Sequence, residues 1–159
     1  LDWGRDTFIC ARGLLAAGMV EEVKQIVLIF ARFEKDGTLP NTIHGADASN
    51  RDTSDAPLWF GVVFEEFAAL ECGDRSPPSS TRQVASCQSA DMSAHSKFYA
   101  TKVDDSGRTI RDVLQSIATN YAKGTPNGIR MDPDSALVWS PSHFTRMDTN
   151  YPADTPRDG

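Results

Sequence analysis

The strongest constraint on the fold is a helical repeat. Val20, Val23, Ile26, Val27, Phe30 and Phe33 recur at steps of three and four residues, with Glu21, Glu22, Lys24 and Gln25 between them. That spacing gathers the apolar set on one face of an α-helix and the charged set on the other. The preceding stretch, Thr7 to Ala17, is small, apolar and rich in helix formers, and Gly18 is placed to stop it. Two helices joined at Gly18 predict an antiparallel hairpin. A third helix is predicted from about Ser54 to Glu71, with Ser54 or Asp55 as its cap and Pro57 in its first turn. Trp59, Val62, Val63, Glu66, Phe67 and Leu70 follow its helical step, with one polar interruption. A fourth runs from Thr109 to Lys123, carrying the stripe Ile110, Val113, Leu114, Ile117 and Tyr121. Thr109 and Asp112 make a capping box in which Asp replaces the usual Glu. Gly124 ends it. The fold class that follows is all-α.

Two stretches depart from this grammar. Ile129 to Met131 and Leu137 to Trp139 are short extended runs around the turn formers Asp132-Pro133-Asp134-Ser135, which predicts a small β-hairpin. Residues 72–97 are rich in Ser, contain Pro77-Pro78 and show almost no periodicity. They read as an atypical insertion, a loop or disordered tract, within a single domain that otherwise covers residues 1–159.

Composition narrows the partners. At 159 residues the chain is long enough to bury a core. The net charge of −6 disfavours nucleic acid and anionic membrane, which both need basic patches. No apolar run approaches the ~18 residues of a membrane span. Three cysteines (Cys10, Cys72 and Cys87) form no disulfide framework and no zinc pattern, so a reducing, cytoplasmic compartment is expected. The chain opens on Leu1-Asp2-Trp3, and both ends fall inside motif-like text, which predicts a piece of something larger.

The chemistry-bearing residues cluster at loop–helix junctions. Trp3, Arg5 and Asp6 precede the first helix; Asp52 and Asp55 precede the third, with Trp59 one turn inside; Trp139, His143, Asp148 and Asn150 lie in the last loop. Helix hairpins place alternate junctions at the same end of a bundle, so these clusters are expected at one mouth. Carboxylates, Arg and aromatic rings in such a mouth suit a sugar, which offers hydroxyls to the first two and C–H faces to the third. Each residue also has a plainer reading. Asp6 and Asp55 taken alone are N-caps. Trp59 at helical spacing is a core residue, and Arg5 beside Asp6 is a local ion pair. Asp132 and Asp134 flank a proline in a turn and fail the calcium-loop pattern. His44 and His95 have no evident partners. Cys10 lies within an apolar helix, and neither a nucleophile elbow, a dinucleotide fingerprint nor a P-loop is present.

A string of motifs adds a resemblance. Trp3-Gly4-Arg5-Asp6-Thr7 before an Ala/Leu-rich helix, then Leu39-Pro40-Asn41, then Asp55-Ala56-Pro57-Leu58-Trp59-Phe60, occur in that order. They are followed by Gly124-Thr125-Pro126-Asn127-Gly128-Ile129 and by Trp139-Ser140-Pro141-Ser142-His143-Phe144-Thr145. Met147-Asp148-Thr149-Asn150-Tyr151-Pro152 completes the series. This resembles the amylo-α-1,6-glucosidase domain of the glycogen-debranching family, of the bacterial and archaeal type, over about residues 1–71 and 98–159.

The resemblance implies a partial (α/α)6 barrel and inverting hydrolysis of α-1,6-linked glucose stubs on glycogen or a similar branched α-glucan. It implies Asp148 as the general acid. It places Arg5 and Asp6 on the terminal glucose, with Asp55 and Trp59 near the same pocket. The general base of the family is a Glu on a later helix, beyond Gly159, so the rest of the enzyme chain is the expected partner. No metal or organic cofactor is implied, since acid–base hydrolysis needs neither. Arg146 stands where the family carries Trp; a cation there favours the charged form of the acid and lowers its pKa. Asp154 stands where the family carries Gly. The alternative reading is a truncated, non-catalytic glucan-binding remnant, and a third is a helical interaction domain without a sugar role.

Overall fold

A short β-strand, β1 (Asp2–Trp3), leads without a break into helix α1 (Gly4–Ala16). This is a computed structural model, and it describes residues 2–71, 98–141 and Phe144. Then follow α2 (Val20–Arg32), β2 (Thr42–Ile43), α3 (Ala56–Glu71), α4 (Ile110–Lys123), β3 (Arg130–Met131) and β4 (Val138–Trp139). The described residues are thus mostly helical, with two small antiparallel strand pairs, β1–β2 and β3–β4. The expected insertion at 72–97 lies outside them.

Helix α1 begins at Gly4, three residues ahead of the predicted start. Trp3 occupies the cap position in an extended conformation without a side-chain cap. Pairing with β2 replaces the cap: Trp3 registers with Thr42, and the Gly4 N–H donates to the Asn41 carbonyl at 2.8 Å. The helix ends as expected. The N–H groups of Gly18 and Met19 bond back to the carbonyls of Leu15 and Leu14, the Schellman arrangement.

The predicted stripes form the core. On α2, Val23, Val27 and Phe30 are buried, while Val20, Ile26 and Phe33 are partly buried against the same cluster. On α4, Ile110, Val113, Ile117 and Tyr121 are buried, and Leu114 partly. Phe30, near the end of α2, packs on Phe8, near the start of α1, with ring centroids 4.8 Å apart. The two helices therefore run antiparallel, as a hairpin at Gly18 requires. Helix α3 differs from expectation. Ala56, Phe60, Val63, Phe64, Phe67 and Ala68 are buried, whereas Leu58 and Val62 are more than 40% exposed. Its sequence is apolar almost all round, with Glu65 and Glu66 as its polar residues before the last position, so its period could not select a face.

Helix α3 lies parallel to α1. A side chain at Gly4 would touch the Ala56 Cβ, Phe8 meets Phe60 edge-on at 5.6 Å, and Arg12 pairs with Glu66. The two residue numbers rise together along the contact. Helices α2 and α4 pack on each other behind this pair.

The join between α2 and α4 is polar. Glu34, just past α2, is buried. Its Oε1 accepts from the Gly37 N–H at 2.8 Å and the Ser116 hydroxyl at 2.7 Å; its Oε2 accepts from Arg108 at 2.7 Å. Arg108 also donates to the carbonyls of Ala31 and Glu34, and Arg51 to that of Phe33. Two guanidiniums thus satisfy the open carbonyl end of α2, where a cation is also favoured by the helix dipole. The turn between them is tight. Gly37 has φ +80°, and a Cβ there would lie 2.4 Å from that of Asn120.

Two outcomes follow. Gly37→Ala in the full chain combines a left-handed backbone with an overpacked contact, and costs about 2–4 kcal/mol, read as a fall in the unfolding midpoint. The Thr109–Asp112 capping box is formed as predicted. Hydrogen bonds from the Thr109 hydroxyl and N–H hold the Asp112 carboxylate below its ordinary pKa of 3.8. A lowered folded-state pKa contributes stability that is present above the unfolded value and lost as pH falls through the folded one. Protection of the first-turn amides of α4, taken relative to the intrinsic exchange rate at each pH, therefore falls as the pH drops below 3.8. In Asp112→Ala that protection is already low at neutral pH and the acid-dependent step is absent.

Candidate active site

Parallel packing of α1 on α3 brings their N-termini to the same end of the molecule. This close approach needs Gly4, because a Cβ there would sit 2.6 Å from the Pro40 carbonyl oxygen. Leu39, Pro40 and Asn41 are buried beneath the junction, and the Asn41 N–H is held by the Asn50 carbonyl at 2.8 Å. Arg5 projects from the first turn of α1, and Asp55 immediately precedes α3. The Arg5 Nε donates to Asp55 Oδ2 at 2.7 Å. The side chains are 15% and 32% exposed, so the pair is partly sheltered and its carboxylate keeps an open edge.

Asp55 is therefore not the cap that its position suggested. Its carbonyl accepts from the Trp59 N–H and starts the helix, but its carboxylate turns to Arg5. Thr53 takes part of the capping role, its Oγ1 accepting from the Ala56 N–H at 3.4 Å. The same hydroxyl donates to Asp55 Oδ1 at 3.0 Å. Two donors on two oxygens fix the plane of the carboxylate. Nor is Arg5 paired with Asp6. Neighbours in a helix point to different sides. Asp6 is exposed in the first turn of α1, where an acidic side chain complements the helix dipole.

The aromatic candidates divide. Trp59 is half-buried, packed on the core as its plainer reading held. The Arg12 guanidinium lies 5.8 Å over its ring, beside the second bridge between α1 and α3, Arg12 to Glu66 at 2.6 Å. Hydrogen bonding to Glu66 raises the Arg12 pKa. Trp3 is 41% exposed on β1. Trp139 is 49% exposed on β4, with Arg130 stacked 4.6 Å from its ring centroid. The base of that hairpin is tied toward the site, since the Asn127 side chain donates to the Arg51 carbonyl at 2.9 Å. His143, Asp148 and Asn150 lie outside the described residues. Phe144 is described and buried, and its carbonyl meets the α3 junction: it accepts from the Ser54 N–H at 3.2 Å and from the Ser54 hydroxyl at 3.1 Å.

Two of the three expected clusters thus touch through Arg5 and Asp55, and the third segment arrives beside them at Phe144. Sequence reasoning missed Thr53, Tyr121 as a donor, and the role of Ser54, which it took for a cap. Their signal was present only as Ser and Thr ahead of a helix. Cys10, placed within an apolar helix by its sequence, is exposed on α1. No group of three or more His, Cys, Asp or Glu that could hold a metal ion occurs among the described residues. No helix among them is long and apolar enough to cross a membrane.

The fold and the site thus define a mostly helical domain in which two parallel helices share a guanidinium–carboxylate pair at their N-terminal ends. The family follows from comparison: the amylo-alpha-1,6-glucosidase profile matches residues 1–159, and the chain belongs to that family. It is also similar to the glycogen debranching enzyme of Saccharomyces cerevisiae, 41% identical over 69 residues, which cover 43% of this chain and 4% of that protein. The chain thus matches only a small part of the length of that curated relative. No solved structure matches it.

The Arg5–Asp55 pair is testable by a double-mutant cycle. Arg5→Met and Asp55→Asn, alone and together, are expected to show a coupling of about 1 kcal/mol in chemical unfolding, the scale of a partly exposed ion pair. Raising the salt concentration should shrink it.

Proposed function

We propose that this chain forms part of the catalytic domain of an inverting glycoside hydrolase that removes α-1,6-linked glucose stubs from glycogen-like glucans. The observation that carries the reading is the Arg5–Asp55 pair, ordered by Thr53 and open on one edge, within a chain that belongs to the amylo-α-1,6-glucosidase family. In this reading a terminal glucose donates its hydroxyls to the free lone pairs of Asp55 and to Asp6, and accepts from Arg5. Trp3, Trp59 and Trp139 offer ring faces to its C–H surfaces, and His143 and Asn150 add polar contacts.

Asp148 is the proposed general acid, giving its proton to the departing glycosidic oxygen. Inversion requires a second carboxylate about 6.5–9.5 Å away that takes a proton from the attacking water on the opposite face. That base is proposed to be a Glu from a later helix of the full protein. The proton balance then closes without a metal or organic cofactor. The surrounding architecture is proposed to be an (α/α)6 barrel, supported by the parallel pair α1 and α3 backed by α2 and α4, and the location cytoplasmic, where a glycogen-like substrate would be met.

The test is glucose release from a phosphorylase-limit dextrin by the full protein that contains this chain and the later helices, beside its Asp148→Asn variant. Release that falls at least about a thousandfold in the variant supports the reading, on the scale of losing an essential proton donor. Release unchanged by the variant removes Asp148 from the mechanism. Dextrin binding without any release, in a folded chain, favours the non-catalytic glucan-binding remnant instead.

A further inference from the structure

The three residues before α3 each hold a different part of the molecule. Thr53, 1% exposed, orients the Asp55 carboxylate through its hydroxyl. Asp55 holds Arg5 of α1. Between them, Ser54 is tied on both sides. Its carbonyl accepts from the buried Tyr121 hydroxyl of α4 at 2.6 Å, and its N–H and hydroxyl both donate to the Phe144 carbonyl. Partners 67 and 90 residues away along the chain thus converge on one residue.

We propose that Ser54 and Tyr121 are positioning residues for the glucosidase reaction. They hold the glucose-binding pair Arg5–Asp55 in register with α4 and with the Phe144 peptide. This rests on the reading under Proposed function. The geometry favours a positioning role over simple packing. Tyr121 fills the core with its ring, as a Phe would, yet spends a buried hydroxyl on one specific carbonyl. Burial, and the negative charge of Asp55 nearby, raise the Tyr121 pKa, so the phenol stays a donor across the range in which such an enzyme works. Ser54 presents two donors to a single acceptor, which restrains the distance and also the direction of approach of the Phe144 peptide. Both hydroxyl protons are already donated within the protein, so neither residue is assigned a direct contact with substrate. They act through Asp55 on one side and through the Phe144 peptide on the other.

The experiment uses the full protein that contains this chain and the later helices, with the variants Tyr121→Phe and Ser54→Ala, each of which deletes a hydroxyl without adding bulk. Steady-state release of glucose from limit dextrin is measured beside amide exchange of the peptide that contains Phe144. We expect kcat to fall on the order of 10- to 100-fold, as a misplacement near 1 Å does, while KM changes less than about threefold. Exchange should rise at Phe144 and in the 53–56 turn, and stay as in the parent within α1 and α2. Ile117→Val, a core trim on the same helix that leaves every tie intact, separates stability from position: its kcat should stay within about twofold at a comparable drop in unfolding temperature. Wild-type kcat in both hydroxyl variants overturns the proposal, and so does an equal loss of kcat in Ile117→Val. A parent protein that carries the later helices and still releases no glucose overturns the hydrolase reading itself. The two failures are thus distinguishable.

Discussion

Glu34 accepts hydrogen bonds from the Gly37 N–H, from Ser116 and from Arg108, with its side chain about 1% exposed. A carboxylate this deep is tolerated only when its charge and lone pairs are met, because the desolvation cost otherwise exceeds the attraction. All three donors must therefore be in place together. Gly37 fixes the turn after α2, Ser116 fixes the middle of α4, and Arg108 fixes the approach to α4 while closing the carbonyl end of α2. Once α4 is so placed, Tyr121, five residues beyond Ser116, stands where its hydroxyl reaches Ser54. The position of Asp55 thus depends, through Ser54 and Tyr121, on a buried ion pair at the other side of α4.

The first layer works by different physics. Helices α1 and α3 meet through Gly4, Ala56 and the Phe8–Phe60 edge contact, an apolar seam with small residues at one end that permits close approach. Arg5–Asp55 and Arg12–Glu66 bridge the two helices along the outer side of the same seam. Apolar contact supplies the attraction and the ion pairs select the register. Because the helices run parallel, two positive helix ends lie together. The carboxylates Asp6 and Asp55 both sit there, which is the electrostatically favourable end for them.

The helices were legible where their polar and apolar residues alternate cleanly. The stripes of α2 and α4, and the Thr109–Asp112 box, appear in the structure as the residue pattern predicted. The buried face of α3 was not legible, since nearly every position in it is apolar. The start of α1 was placed too late, because the device that begins it is the pairing of β1 with β2, whose partners are some forty residues apart. At the site, residue types pointed to Arg5 and Asp55, but the partner of each was misjudged. An Asp ahead of a helix serves equally as a cap or as a salt-bridge partner, and the tertiary neighbour decides. The ties at Ser54 run through the backbone carbonyls of Ser54 and Phe144, and a carbonyl leaves no mark on the residue type that carries it.

The long spans of these contacts bear on how the molecule acquires its shape. The hairpin of α1 and α2 closes across the three-residue link Ala17–Met19, at little cost in chain entropy. Arg5 to Asp55 closes a loop of 50 residues, Tyr121 to Ser54 one of 67, and Ser54 to Phe144 one of 90. Topology of this kind slows folding, because the entropy of closure is lost before the distant contacts reward it. The hairpin can assemble early from local contacts alone, whereas the Ser54 junction requires the two ends of the chain to have already found the middle. A chain emerging in sequence order would complete its helices well before it completed its site.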